Sequence, residues 1–248
     1  MEHCEFKALE GNTFSFRCYP GIKCFTQCCS KLRLVLTPYD ILRIKRRLGL
    51  SSDRFLEIYT ETIYDRGMIY PLVKLKMDPQ EGRCPFVTSQ GCTIYEDRPG
   101  ACRLYPIGRA TMFPTGGDMA RERFFIVSES HCEGLKEDRT WTLEQWLSHE
   151  GMEQYNKMND PWVAIVTANR PIGSGDMLIQ KLKMFFMASY NLDRFRAFLF
   201  HSPFFERFKI QEHTKLSLAQ DDVALMKFGF NWLRFVLFGE KSGETFGR

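Results

Sequence analysis

Cys18-Tyr19-Pro20-Gly21-Ile22-Lys23-Cys24-Phe25-Thr26-Gln27-Cys28-Cys29 sets four thiols within one short stretch of a 248-residue chain. Proline, glycine and polar residues interleave them, so the stretch reads as a turn-rich loop rather than a helix or a strand. Thiolate is a soft ligand that suits zinc, copper(I) and iron–sulfur centres. Four thiolates complete one tetrahedral zinc site or one cubane cluster. Adjacent side chains usually diverge, so one mononuclear site would not easily use both Cys28 and Cys29. The pair serves two sites or a multinuclear centre.

Moving outward, Cys84-x7-Cys92-x9-Cys102 and then Cys132 add four more thiols. Eight thiols suffice for two four-coordinate sites, or for one site and a reactive set. Spacing alone does not decide which of them share a metal. A lone cysteine is often a small buried hydrophobe, and Cys4, outside the pattern, is read so. Eight clustered beside glycine, proline and turn residues are read as ligands. His131, next to Cys132, is an alternative ligand, although an ordinary packed histidine is the simpler reading. The spacing is not that of a two-pair zinc ribbon. Radical S-adenosylmethionine enzymes would need a cysteine at Lys31. A thioredoxin-type Cys-x-x-Cys, a glycine-rich phosphate loop and a Gly-x-Ser-x-Gly elbow are also missing.

Nine cysteines in total point to metal or redox chemistry if the compartment is reducing. Met1-Glu2-His3-Cys4-Glu5-Phe6 has neither a basic n-region nor an apolar h-region, so no signal peptide is expected and a cytoplasmic location is the default. The odd cysteine count also fits a disulfide framework poorly. No apolar run reaches membrane-spanning length. A formal charge of +4 gives no argument for nucleic acid. Hydrophobic residues at 44% and charged residues at 26% describe an ordinary globular chain, and 22 phenylalanines predict an aromatic core.

All the cysteines lie at or before Cys132, and this shift in composition places a domain boundary near residue 140. The expected fold class is α+β. A cysteine-rich metal-binding lobe (1–140) would be followed by a helical region (141–248) packed on it. Thr37-Pro38-Tyr39-Asp40 reads as a capped helix start, with Ile41, Leu42, Ile44 and Leu48 following and Gly49 ending it. Ser51-Ser52-Asp53 starts a second helix through Phe55, Leu56 and Tyr59. Leu72 to Met77 reads as a strand with Val73, Leu75 and Met77 inward. Thr88-Ser89-Gln90-Gly91 reads as a hairpin turn between Pro85-Phe86-Val87 and Thr93-Ile94-Tyr95. A short helix over Pro99 to Tyr105 would hold Cys102, and a strand over Ala120 to Val127 would lead to His131-Cys132. Thr142-Leu143-Glu144-Gln145 reads as a capping box for a helix to about Met158. Further helices are expected over Asp176–Ser189 and Asp193–Phe200, and from Asp221 or Asp222 to before Gly239. The basic run Arg43 to Arg47 reads as a solvated helix face, with an anionic partner as the alternative. Phe230, Trp232, Phe235 and Phe238 nearly encircle the last helix. Such a stripe is usually core, and a protein-partner or membrane-surface helix is the other reading.

At the cysteine stretches the chain resembles the YkgJ-type cysteine-cluster family (the CxxCxxCC family), described as a zinc- or iron-chelating domain. Phe16-Arg17-Cys18, Cys24 to Cys29, Cys84-Pro85-Phe86, Cys92-Thr93-Ile94-Tyr95-Glu96-Asp97-Arg98-Pro99 and Cys102-Arg103-Leu104-Tyr105-Pro106 carry the resemblance, over roughly residues 14–135. The family usually shows a glycine just before the Cys-Cys segment closes, where this chain has Thr26-Gln27. The resemblance implies bound zinc or iron, including a 4Fe–4S cluster. The flagellin lysine N-methylase is similar in its cysteine pattern, which implies a link to protein methylation by analogy alone.

Two functions follow as expectations. The first is a metal-binding protein whose metal is structural or redox-active. The second is a metal-dependent enzyme of protein modification, for which Glu96, Asp97 and His131 are the acid/base groups nearest the cysteines. Arg98 and Arg103 stand beside thiols and suit either charge balance or an anionic ligand. Their simpler role is pairing with Glu96, Asp97 or backbone carbonyls. Tyr95 and Tyr105 read as packing rings, with hydrogen bonding to sulfur as the alternative.

Overall fold

The computed structural model of the protein describes residues 4–65, 67–112 and 121–240. In chain order its elements are β1 (Cys4–Ala8), β2 (Thr13–Ser15), β3 (Val35–Leu36), α1 (Pro38–Leu48), α2 (Ser52–Tyr59), β4 (Thr60–Ile63) and β5 (Leu72–Leu75). Then come β6 (Val87–Thr88), β7 (Gly91–Cys92), α3 (Gly100–Leu104), β8 (Ile107–Met112), β9 (Arg121–Glu129) and β10 (Thr140–Thr142). The remainder is helical: α4 (Leu143–His149), α5 (Met152–Val166), α6 (Gly175–Tyr190), α7 (Leu192–His201), α8 (Phe204–Arg207), α9 (Glu212–Gln220) and α10 (Asp222–Phe238). The fold is α+β. Its chain forms two compact units, each built from two separate stretches: Met1–Leu34 with Leu75–Lys157, and Val35–Lys74 with Met158–Arg248. The side chain of Cys4 and the whole of Ala120 lie outside the described residues.

The first unit carries every cysteine from Cys18 to Cys132. Its largest sheet is antiparallel with strand order β1-β9-β8, in which Phe6 faces Val127 and Ile107 faces Ile126. A second ladder pairs β2 with β10 and sets Phe14 opposite Trp141. Trp146 from α4 meets Phe14, Phe16 and Trp141 edge-on, at centroid distances of 5.8, 5.6 and 5.2 Å. Buried indoles need a hydrogen-bond partner. Trp141 Nε1 donates to the Phe16 carbonyl and Trp146 Nε1 to that of Leu104, both at 2.9 Å. The aromatic cluster therefore fixes the strand leading into Cys18 as well as the segment leaving α3.

α4 opens on the expected capping box, in which the Thr142 hydroxyl accepts from Gln145 N and the Gln145 side chain accepts from Thr142 N. It does not run to Met158. The helix stops at Glu150, Gly151 takes φ +64°, and α5 begins at Met152. A left-handed backbone ends a helix, and the apolar periodicity on either side of Gly151 had hidden the break.

In the second unit, β3, β5 and β4 form a sheet in that order. α1 matches its expected bounds, with the Thr37–Asp40 capping box at one end and Gly49 at φ +65° at the other. β5 ends at Leu75, earlier than expected. Leu72 is buried along with Val73 and Leu75, while Met77 is only half-buried and outside the strand. Phe228, Phe230 and Trp232 of α10 are buried with Phe185, Phe195 and Phe204, so these rings form a core. The basic run on α1 is not a solvated face throughout. Lys45 is 5% exposed, and its ammonium lies 3.3 Å from Asp193 and 3.6 Å from Asp222. Arg46 reaches Asp222 at 3.2 Å. Both acidic partners are more than 140 residues away in the chain, beyond the reach of helical periodicity. Among the described residues, no helix is long and apolar enough to cross a membrane.

Candidate metal centre

Residues 19–29 form a chain of tight turns. Ile22 N donates to Tyr19 O, Phe25 N to Ile22 O, Gln27 N to Cys24 O and Cys29 N to Thr26 O, at 2.9 to 3.2 Å. Thr26 sits at φ +66°. A left-handed β-branched residue is rare. Arg83 Nη2 donates to its hydroxyl at 3.2 Å and helps to hold it there.

Backbone contacts bring the other cysteine segments to this loop. Arg17 N donates to Gly134 O at 3.0 Å, which lays the Cys18 segment along the 3-10 turn that follows Cys132. Glycine is required there, because a Cβ on Gly134 would stand 2.8 Å from Arg17 O and 2.9 Å from the Phe16 ring. Glu133 N donates to Cys24 Sγ at 3.3 Å, so Cys24 and Cys132 meet through one peptide. On the other side, Cys84 N donates to Cys29 O at 2.8 Å, and Ser30 bridges Arg83. The β6–β7 hairpin then sets Cys92 opposite Val87. Its turn is shorter than expected, and Thr93 to Tyr95 lie beyond the strand. Cys102 is carried on α3.

Cys24 and Cys132 are buried, Cys18 is exposed, and Cys28, Cys29, Cys84, Cys92 and Cys102 lie between; all eight are thiols. Their electrostatics link them. Although Cys18 is exposed at the surface, partial desolvation pushes it up to about 11, and Cys24, Cys132 and Cys29 add to this. Burial also pushes Cys84 up to about 11; the Phe86 N–H opposes this, and Cys29 and Cys92 add to it. Cys92 is raised by burial and by Cys29, against the Ile94 N–H and Arg98. Cys28 and Cys29 share a hydrogen bond. It raises Cys28, the donor, and lowers Cys29, the acceptor, which the Arg83 charge lowers further. Cys29 is the thiol common to both groups: Cys18 and Cys28 on one side, Cys84 and Cys92 on the other. Among the described residues, no three Cys, His, Asp or Glu side chains are already gathered closely enough to hold a metal ion.

Arg98 pairs with Glu150, donates to Tyr95 O and lies over the Tyr95 ring at 3.7 Å. Arg103 donates to the carbonyls of Glu150 and Glu96. Arg98 still lends its charge to Cys92. The Tyr105 hydroxyl is held far above the tyrosine range by burial, by Cys132 and by Glu129.

Glu129 was not foreseen. It ends β9, its carboxylate faces Cys28, Cys29 and Tyr105, and its Oε2 is buried without a hydrogen-bond partner among the described residues. Both ring nitrogens of His131 are in the same condition. An acidic residue three places before a cysteine carries no distinctive signal in a sequence.

Residues 17–133 match the model of a family described as a putative zinc- or iron-chelating domain. No curated protein and no solved structure gives a significant match to the chain.

Proposed function

Because residues 17–133 match the model of the CxxCxxCC family, described as a putative zinc- or iron-chelating domain, we propose that this unit holds zinc or iron through Cys18, Cys24, Cys28, Cys29, Cys84, Cys92, Cys102 and Cys132. The observation that carries the reading is the position of Cys29. It acts electrostatically on Cys18, Cys84 and Cys92, thiols from two distant parts of the chain, and its carbonyl accepts the Cys84 amide. Partly buried thiols that repel one another are a costly arrangement as thiolates, and a divalent cation relieves that cost. The donor chemistry fits: soft sulfur, and the N–H donors of Glu133, Phe86 and Ile94 directed at sulfur. Bound metal would supply cross-links between three loops, and with iron a redox centre. Metal–sulfur bonds of about 2.3 Å require the thiols to rotate inward from their present positions. Cys28 and Cys29, adjacent and hydrogen-bonded, suit a shared multinuclear centre or two neighbouring sites.

Elemental analysis of anaerobically purified protein tests this directly. Zinc or iron should be present in stoichiometric amount, with brown colour if the metal is an iron–sulfur cluster. Cys28→Ser should lower the metal content, and Cys4→Ser should not. Metal-free wild-type protein, or equal loss from both variants, would sink the reading.

A further inference from the structure

The geometry points to Glu129 and His131 as an oxygen donor and a nitrogen donor of the same metal centre, on the side of Cys24, Cys28 and Cys132. The inference rests on the chelating reading above and extends it to residues outside the cysteine pattern.

Three observations support it. First, Glu129-Ser130-His131-Cys132 is one turn at the end of β9, closed by Cys132 N donating to Glu129 O at 2.9 Å. A single turn thus carries a carboxylate, an imidazole and a thiol, and the next amide binds Cys24 Sγ. Second, Glu129 Oε2 and both His131 nitrogens are buried with no hydrogen-bond partner among the described residues. Buried polar groups are normally satisfied, and an unpaired carboxylate oxygen near thiols is a costly case. Third, His131 Nε2 stands 3.7 Å from Glu129 Oε2. That is too long for a hydrogen bond. It is within the span of two donors on one ion, since bonds of about 2.0–2.2 Å each allow a separation of up to about 4 Å.

The chemical consequence is selectivity. An all-thiolate set also accepts copper(I), whereas imidazole and carboxylate donors favour zinc and iron(II). A neutral imidazole in place of a thiolate also lowers the negative charge gathered in the unit.

Cobalt(II) loaded in place of the native metal tests this spectroscopically. Wild-type protein should show thiolate-to-cobalt charge transfer in the near ultraviolet, together with visible ligand-field bands. Glu129→Gln and His131→Ala should keep the charge-transfer band, shift the ligand-field bands, and weaken zinc binding about 10–100-fold in competition with a chromophoric chelator. His131→Cys should strengthen the charge transfer, which loss of folding would not do, and Lys136→Ala should match wild type. If the three substitutions at Glu129 and His131 leave bands and affinity unchanged while Cys28→Ser weakens charge transfer, this inference is overturned and the chelating reading stands. Absence of charge transfer from the wild type would overturn both.

Discussion

Gly134 shows how one residue positions the candidate centre. The Cys18 segment and the turn after Cys132 approach so closely that a single methyl group collides with Arg17 O and the Phe16 ring. Neither neighbour yields readily: one is backbone, and the other is buried in the tryptophan cluster. Gly134→Ala should therefore cost about 1–3 kcal/mol in urea unfolding and reduce metal content in parallel. Unchanged stability would show that the two segments are not held in register here. Glu129 marks the limit of sequence reading at the same scale. The eight cysteines stand out in the sequence because thiols are rare and their clustering is improbable by chance. A glutamate is common, and only its burial without a partner sets it apart.

Helix termini were the most legible of the elements. Thr37 and Gly49 bound α1, Asp221 and Gly239 bound α10, and Thr142 opens α4, each through local chemistry within one turn. Removing one such cap should have a modest, local cost. Thr142→Ala should lower stability by about 1 kcal/mol, read as a lower urea midpoint at unchanged slope, and the loss should shrink with Ser in that position. The break between α4 and α5 was missed because Gly151 lies between two runs of compatible periodicity. The short strands β2 and β10 were missed for another reason: a three-residue strand has too little alternation to register, and it exists only because its partner lies about 125 residues away.

For the molecule as a whole, the two units are built from interleaved stretches of chain. The Lys45 network is what this arrangement permits: α1 meets acids from α7 and α10. Burial alone would raise Asp193, but the Ser52 N–H and the Lys45 ammonium outweigh it and hold the carboxyl below 3.8. Burial is likewise outweighed at Asp222, by Arg196, Lys45 and Arg46. A carboxyl lowered on folding contributes its full stability above its unfolded pKa, about 3.9, and loses it as pH falls through the folded value. Unfolding free energy should therefore hold from neutral pH down to about pH 4 and fall below that. Asp222→Asn should lessen the acid-side slope in denaturant titrations. An identical slope in the variant would remove these carboxylates from the account.

Sequence alone determined the clustering of thiols, the α+β class and the ends of the capped helices, because each depends on residue type or on neighbours within a turn. Only the tertiary structure decided that Val35–Lys74 groups with the C-terminal helices, that Lys45 is buried among carboxylates, and that Glu129 and His131 lie unsatisfied beside the thiols. These outcomes depend on contacts between residues distant in the chain, and no local pattern encodes which distant segment will supply the partner.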